Sequence, residues 1–579
     1  MSLGGNKLEI TSLKQSVDSE NVSIIPIVGI GGIGKTTLAK LVYNDQRIAT
    51  PFELKLWVCV SDVFELDKVI IKILNSASPG KRYMDMGIDQ LQRTLREALN
   101  GRKYLLILDD VWSEDPRKWG ELKTLLMGGA NGSKILVTTR SQRVAEIMGT
   151  VSALNLSLLS PQDCLSLFFK CAFKGQQEKQ NPNLKRIGEE IVRKCKGVPL
   201  AVITLGSLLY SVTDERKWEL IRDNEIWKLE PKEDDILAAL RLSYEHLPSY
   251  LKRCFAYCSI FPKDYEMDDI ELVYLWIANG LVQCSNENQE LEDIGLSYFK
   301  ELCSRCFFQD FFEYGGNVKC QMHDLIHDLA LSITQNERSM VRTSTQQIPK
   351  SVRHISFPDP ESLPNDLPES LQNLDRVRTI WSLNDRHEGI SSEVFIKKCV
   401  SRFQYMRVLD LTYSRHARPQ NASKIVRLFC RSLTSLPQNI ECLRELETLC
   451  IDECENLDLA MEEGEDNQFP TQFSLQKLEL RNLPKLVEFP QWLIRLIRGS
   501  TNSLKVMKVE GCRNLRELPE CLQNMASLPE VQIKDCPQLN NDPIRKAVAD
   551  VAGPTTSMSE HWSLHVDISK SEVKLVTEQ

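Results

Sequence analysis

Gly29-Ile30-Gly31-Gly32-Ile33-Gly34-Lys35-Thr36 fits G-x-x-x-x-G-K-[ST] at every fixed position, and the chemistry of that spacing is phosphate binding. Glycines at 29, 31, 32 and 34 let backbone N–H groups close around phosphate oxygens. The helix that follows presents its unpaired amides, from Lys35, Thr36 and Thr37, and its positive dipole end to the anion. Lys35 is expected to reach the β- and γ-phosphates, and the Thr36 hydroxyl to ligate Mg²⁺. Far downstream, Asp109-Asp110 closes the apolar run Tyr104-Leu105-Leu106-Ile107-Leu108. Asp109 is suited to the Mg²⁺ shell, and Asp110 to orienting or deprotonating a water as a catalytic base. Two acids at a strand end also suit a helix cap or a solvated turn; the phosphate loop upstream favours the metal. Arg140 ends another apolar run, where it suits a γ-phosphate charge sensor and equally an ordinary surface arginine.

These residues need elements to hold them. Ile24-Ile25-Pro26-Ile27-Val28 before the loop reads as a strand, and the segment after Lys35 as a helix. Further strands are expected over 55–60, 104–108 and 134–138. Segments with helical spacing lie between them, such as Leu91, Leu95 and Leu99. That alternation implies a parallel sheet covered on both faces, with ligands beyond the carboxyl ends of its strands. The polar strand ends Ser61-Asp62, Asp109-Asp110 and Thr138-Thr139-Arg140 all fall there.

The whole chain has 579 residues, enough for roughly four domains of ordinary size. A 42% hydrophobic and 26% charged composition is that of folded protein, and the net charge of −8 disfavours a general grip on nucleic acid or anionic membrane. The N-terminus has no apolar signal core and no apolar run reaches spanning length, so cytoplasmic location with 18 reduced cysteines is expected. Cys303-x2-Cys306 and Cys320-x2-His323 have the spacing of a small zinc site. Their segment reads instead as a packed helix in which cysteine serves as a small hydrophobe.

The C-terminal third carries an internal repeat. L-x-x-L-x-L-like units start at Leu446, Leu475, Leu504 and Leu528, at leucine-rich-repeat spacing. Each unit supplies a short strand, and stacking buries the apolar edges and leaves a concave face suited to a protein partner. Cys454, Cys512 and Cys536 fall at one core position of the repeat. Trp492 is expected to be exposed on the contact surface. Met406-Arg407-Val408-Leu409-Asp410-Leu411 begins an earlier unit, but the next L-x-x-L-x-L starts at Leu446, with the unpatterned stretch 414–421 between.

Several longer motifs are recognisable. Leu56-Trp57-Val58-Cys59-Val60-Ser61-Asp62, Leu108-Asp109-Asp110-Val111-Trp112, Gly132 through Arg140, Gly197-Val198-Pro199-Leu200-Ala201, Cys254 through Asp264, and Met322-His323-Asp324 occur in order. Together they resemble the NB-ARC module of plant disease-resistance receptors, and Trp112 with Cys254-Phe255-Ala256-Tyr257-Cys258 resembles the coiled-coil class. The resemblance implies an α/β P-loop nucleotide-binding domain (24–150), a helical subdomain (151–230), a winged-helix subdomain (231–335), a leucine-rich-repeat solenoid (336–545) and a tail or cap (546–579). It implies ADP/ATP and Mg²⁺ as cofactors, with Pro199 packing near the adenine. It also implies that His323, supported by Asp324, contacts the ADP β-phosphate and locks the resting state.

Residues 1–23 read as a short remnant, without the family's coiled coil or its Val-Gly-Arg segment. The implied function is an immune receptor acting as an ADP/ATP switch. It is at most a slow ATPase, with repeats that sense a pathogen effector or a guarded host protein and with self-association on activation. Two alternatives stay open: a truncated regulatory or decoy module that binds nucleotide and partners, and a metabolic P-loop ATPase.

Overall fold

The computed structural model describes residues 21–60, 64–78, 83, 86–174, 181–228, 235–283, 291–314, 317–342, 346–357 and 366–382. Beyond these it describes 395, 398–399, 402–403, 405–410, 425–429, 448–452, 454, 457–459, 473–519, 521–522, 530–539, 563–567 and 572–576. The strand-end pair Ser61-Asp62, the unpatterned stretch 414–421 and the remnant up to residue 20 lie outside them. The chain divides into two units, Met1–His246 and Leu247–Gln579.

The first unit is built on five parallel strands: β1 (Val22–Val28), β2 (Leu54–Cys59), β3 (Tyr104–Val111), β4 (Ser133–Thr139) and β5 (Leu154–Asn155), in the order β2-β3-β4-β1-β5. All seven residues of β1 are buried, so both faces of the sheet are covered. Alternation along the strands sorts their side chains between two cores. Ile24, Leu106, Leu108, Ile135 and Val137 pack with the helices Leu66–Ala77, Ile88–Leu99 and Pro116–Leu126. Ile25, Leu105, Ile107 and Leu136 meet Ala39 and Val42 of helix α1 (Lys35–Asn44). Leu91, Leu95 and Leu99 are the buried stripe of their helix.

Helices follow the sheet. Pro161–Ala172 starts where the Ser160 hydroxyl accepts the Asp163 amide at 3.1 Å, and Pro182–Lys194 buries Leu184, Ile187, Ile191 and Val192 on one face. Gly188 fits beneath aromatic rings: a Cβ there would lie 2.8 Å from Phe169, 3.0 Å from Phe168 and 3.1 Å from Trp218.

The second unit begins with the helices Ser249–Tyr257, Asp269–Ala278, Leu291–Ser304 and Asp324–Ile333 around an antiparallel sheet of Met267–Asp268, Asn317–Gln321 and Gln309–Tyr314. Asp268 caps its helix by accepting the Ile270 and Glu271 amides at 3.1 and 3.2 Å, and it accepts the Asn317 side-chain amide from the sheet. Cys320 is buried and Cys303 partly so. Among the described residues no group of three or more His, Cys, Asp or Glu side chains is arranged to hold a metal ion.

An eleven-stranded sheet follows. Its first nine strands, from Arg338–Met340 to Glu530–Lys534, pair in parallel, and the last two, Ser563–Asp567 and Glu572–Val576, are antiparallel. Three findings differ from the periodicity reading. Strands His354–Phe357 and Thr379–Ser382 precede the first legible repeat. They grow from Val352-Arg353-His354-Ile355 and Val377-Arg378-Thr379-Ile380, a matched pair that L-x-x-L-x-L does not capture. Strand Ile425–Phe429 fills the interval after Val408–Asp410, pairing with that strand and with Thr448–Asp452. Trp492 is buried rather than exposed, at 4%, with its indole N–H donating to the Leu459 carbonyl at 2.8 Å. It lies on the apolar stripe of helix Gln491–Gly499 with Leu493, Leu496 and Ile497, a helical pattern inside a repeat otherwise read as strand and loop.

The winged-helix elements meet the first repeats through polar and aromatic contacts. Arg407 donates to the Asn279 carbonyl at 2.6 Å, the Thr379 hydroxyl bonds the Asn279 side chain at 3.3 Å, and Trp381 packs edge-on against Phe261 and Tyr265.

Removing the indole by Trp492→Ala leaves a core void and is expected to destabilise the repeat region by about 3–5 kcal/mol. Faster amide exchange in 477–481 and 506–510 would register it; unchanged exchange would mean that the indole does not stabilise the stack.

Candidate functional site

The phosphate loop joins the carboxyl end of β1 to α1. Its near end is tied to β4 by the Gly29 amide, which donates to the Thr139 carbonyl at 3.3 Å. Gly34 takes φ +104° at the helix start, in the left-handed region that favours glycine, and a Cβ there would meet nothing within 4 Å. Gly32, at φ +69°, differs: a Cβ would lie 2.4 Å from Ile236 and 2.9 Å from Leu200. Within the curl the Lys35 ammonium donates to the carbonyls of Gly29 and Ile30 at 2.9 and 3.1 Å. Burial pulls this ammonium down to about 8, with Arg140 adding repulsion and Asp110 and Asp109 opposing the shift. Gly31 is half-buried, and Thr37 faces solvent on the first turn of α1.

Asp109 lies at the carboxyl end of β3 and is 5% exposed. Its Oδ1 accepts the Thr36 hydroxyl at 3.0 Å and the Thr138 hydroxyl at 2.5 Å. Burial raises its carboxyl above the usual range, while the two hydroxyls oppose that rise. Asp110 turns into the left-handed region at φ +54°, where the pairing of β3 with β4 shifts register. Its amide donates to the Thr138 hydroxyl at 2.8 Å, and its carboxylate accepts the Trp112 indole N–H at 2.9 Å. The Arg140 guanidinium lies 4.7 Å over the Trp112 ring, a cation–π contact. The structure thus gathers Lys35, Thr36, Asp109, Asp110 and Arg140 at the carboxyl ends of neighbouring strands.

Pro199 opens helix Pro199–Leu208, after Lys196 and Gly197 at φ +48° and +82°. The Leu200 amide donates to the Gly32 carbonyl at 3.2 Å, so this helix start is bonded to the phosphate loop. His323 belongs to the second unit and is described there by itself. Its Nδ1 accepts the Leu325 amide at 3.2 Å, capping helix Asp324–Ile333, and it lies against the Asp324 carboxylate.

Family models match as an NB-ARC domain over residues 6–178, a disease resistance protein winged helix domain over 260–330, and RPS2-like leucine-rich repeats of plant disease resistance proteins over 423–537. The chain is 49% identical over 316 residues to disease resistance protein RGA2 of Solanum bulbocastanum, covering 55% of this chain and 32% of that protein. It is 29% identical over 559 residues to disease resistance RPP13-like protein 4 of Arabidopsis thaliana, covering 89% of this chain and 62% of that protein. The chain belongs to the NB-ARC disease-resistance family. It spans about a third of the length of the Solanum bulbocastanum relatives it matches, with 39%, 32% and 34% of their chains covered.

Sequence reasoning passed over four participants in the NB-ARC site. Thr138 bonds both acids of the strand end, yet as one threonine of a Thr-Thr pair it carries no spacing signal. Trp112 served only as a class marker and proves to contact both Asp110 and Arg140. Leu200 and Ile236 close over Gly32 from segments more than 160 residues away, beyond any local pattern.

Thr138→Val keeps the side-chain shape and deletes both hydroxyl bonds. It is expected to destabilise the NB-ARC sheet by about 1–3 kcal/mol, the scale of leaving buried polar groups short of partners. Urea unfolding measures this, and a midpoint equal to wild type would deny these bonds a structural role.

Lys35 gives a pH signature. Folding lowers it from 10.5 to about 8, so the destabilising charge is fully present below about pH 8 and is relieved as pH rises towards 10.5. Protein stripped of small molecules should gain roughly 1–3 kcal/mol over that window relative to Lys35→Met. Parallel stability curves for the two proteins would rule the buried charge out.

Proposed function

We propose that this chain is a nucleotide-operated switch of plant immunity, held off by ADP and turned on by ATP. The observation that carries the reading is the buried Lys35 ammonium inside a glycine loop, bonded to two neutral carbonyls and set beside a carboxylate that holds Thr36. A buried cation of that kind gains from an anion arriving where the loop amides converge. The residues therefore fit a magnesium–nucleoside polyphosphate.

Gly29, Gly31, Gly32 and Gly34 would offer backbone amides to the phosphates, with the helix-start residue Thr37 beside them, and Lys35 would release its two carbonyls for the β- and γ-oxygens. Thr36 and Asp109 would hold Mg²⁺, whose charge would oppose the rise that burial imposes on the Asp109 carboxyl. Arg140, steadied over Trp112, would sense the γ-phosphate, and Asp110 would orient a water. Pro199 and Leu200 would pack at the adenine side, and His323 with Asp324 would favour the ADP state. When bound, the nucleotide supplies an exchangeable or cleavable γ-phosphate. Everything else is positional: two states differ in which of these groups contact phosphate, and the nucleotide shifts the population between them.

The family membership supports an immune role in the cytoplasm, with the repeat strands offering a surface to a pathogen effector or a guarded host protein and with self-association on activation. Among the described residues no helix is long and apolar enough to cross a membrane.

Nucleotide content tests the reading directly. Purified chain should retain adenine nucleotide, mainly ADP, Lys35→Arg should lose at least about tenfold of it, and Asp324→Val should raise the ATP fraction. Chromatography of the released nucleotide decides: equal ADP in wild type and Lys35→Arg would refute the loop assignment, and an unmoved ADP-to-ATP ratio in Asp324→Val would refute the lock.

A further inference from the structure

Cys512 and Cys536 occupy the same position of neighbouring repeat units. Glu510 and Lys534 are register partners on adjacent parallel strands, and the Gly511 amide donates to the Lys534 carbonyl at 2.9 Å, so the two chains still run side by side where their strands end. Each thiol then makes the same pair of contacts. Cys512 Sγ approaches the carbonyls of Glu510 at 3.6 Å and Leu480 at 3.7 Å. Cys536 Sγ approaches those of Lys534 at 3.4 Å and Val509 at 3.9 Å. Leu480 and Val509 are themselves register partners. Adjacent strands lie about 5 Å apart, which falls within the roughly 4.4–6.8 Å that a disulfide bridges between Cα atoms. Cys454 holds this position two units earlier, but Leu483 stands between it and Cys512.

The two thiols differ in access. Cys512 is fully buried and Cys536 half-buried. A hydrogen bond with Cys512 draws the Cys536 thiol below the usual cysteine range, against burial and against the charges of Asp535 and Glu510. Burial instead pushes Cys195, Cys254 and Cys303 up to about 12. A reachable thiol that gives up its proton more readily than an ordinary cysteine, beside a second, sheltered thiol, has the two properties that peroxide sensing requires.

We propose that Cys536 and Cys512 form a peroxide-responsive pair that closes into a disulfide between adjacent repeats. The Cys536 thiolate attacks hydrogen peroxide; an S–O bond forms, the O–O bond breaks, and the departing hydroxide takes a proton to become water. Cys536 is thereby oxidised to a sulfenic acid. The Cys512 sulfur then attacks the Cys536 sulfur, an S–S bond forms as the S–O bond breaks, and the hydroxyl leaves with the Cys512 proton as a second water. The product ties strand Glu530–Lys534 covalently to strand Val506–Glu510, and a small-molecule thiol reverses it by exchange.

The test is peptide mapping of the full chain after brief hydrogen peroxide treatment, with free thiols alkylated. The expected product joins tryptic peptide Val509–Arg513 to Asp535–Arg545 with loss of two hydrogens, and dithiothreitol separates them. In Cys512→Ala the linked product is lost, and sulfenic acid formed on Cys536, captured by dimedone, outlasts that of wild type because its resolving thiol is gone. In Cys536→Ser, Cys512 should stay reduced. The wild-type map decides even where a variant folds poorly: the two peptides remaining unlinked, or either joined mainly to another cysteine, would overturn the proposal.

Discussion

The buried carboxylate of Asp109 is the constraint on which the first unit depends. A carboxylate taken out of water is costly unless hydrogen bonds replace its hydration, and here two hydroxyls do so. They come from Thr36, 73 positions away at the start of α1, and Thr138, 29 positions away on β4. One oxygen atom therefore fixes α1 against β3 and β4. Because α1 ends the glycine loop, the same atom fixes where the loop can lie. The shared Thr138 hydroxyl also takes the Asp110 amide, which sets the turn that sends Asp110 back towards Trp112. Position passes from a buried acid to a loop, a turn and, through the indole, to Arg140.

The second unit rests on repetition rather than on a single anchor. Parallel strands in register place equivalent side chains one above another, so each apolar position extends the core by one layer. The same register aligns whatever else recurs. Arg353, Arg378 and Arg407 hold one position before three successive strands, and the Arg378 amide donates to the Arg353 carbonyl as the Arg407 amide does to Arg378, each at 2.7 Å. Cys512 and Cys536 are stacked by the same rule. Stacking is indifferent to chemistry. It juxtaposes thiols or guanidinium groups as readily as leucines.

Much of this was legible in the residues. The phosphate loop was, because glycines, lysine and threonine at fixed spacing act through a short backbone segment. The strands of the first sheet were, because full burial leaves continuous apolar runs, and the later repeats were, because their period is carried by leucine. The earliest strands of the repeat sheet lie inside the expected repeat span but lack its leucine period: Ile355 and Ile380 fill the core from strands with the pattern V-R-x-I. Trp492 misled because its repeat was read as strand and loop, while the helical stripe it belongs to faces inward.

The sequence by itself determined the kind of chemistry and the order of the modules, since both are written in local spacing and in periodicity. Tertiary structure alone decided which groups meet. Thr138 and Thr139 look alike in the chain, yet only the strand's pleat turns Thr138 towards both acids while Thr139 bonds Val111. Leu200 and Ile236 reach Gly32 because distant helices fold back over the loop. Spacing along a chain governs what a short segment can bind; packing in three dimensions governs which side chains share a hydrogen bond.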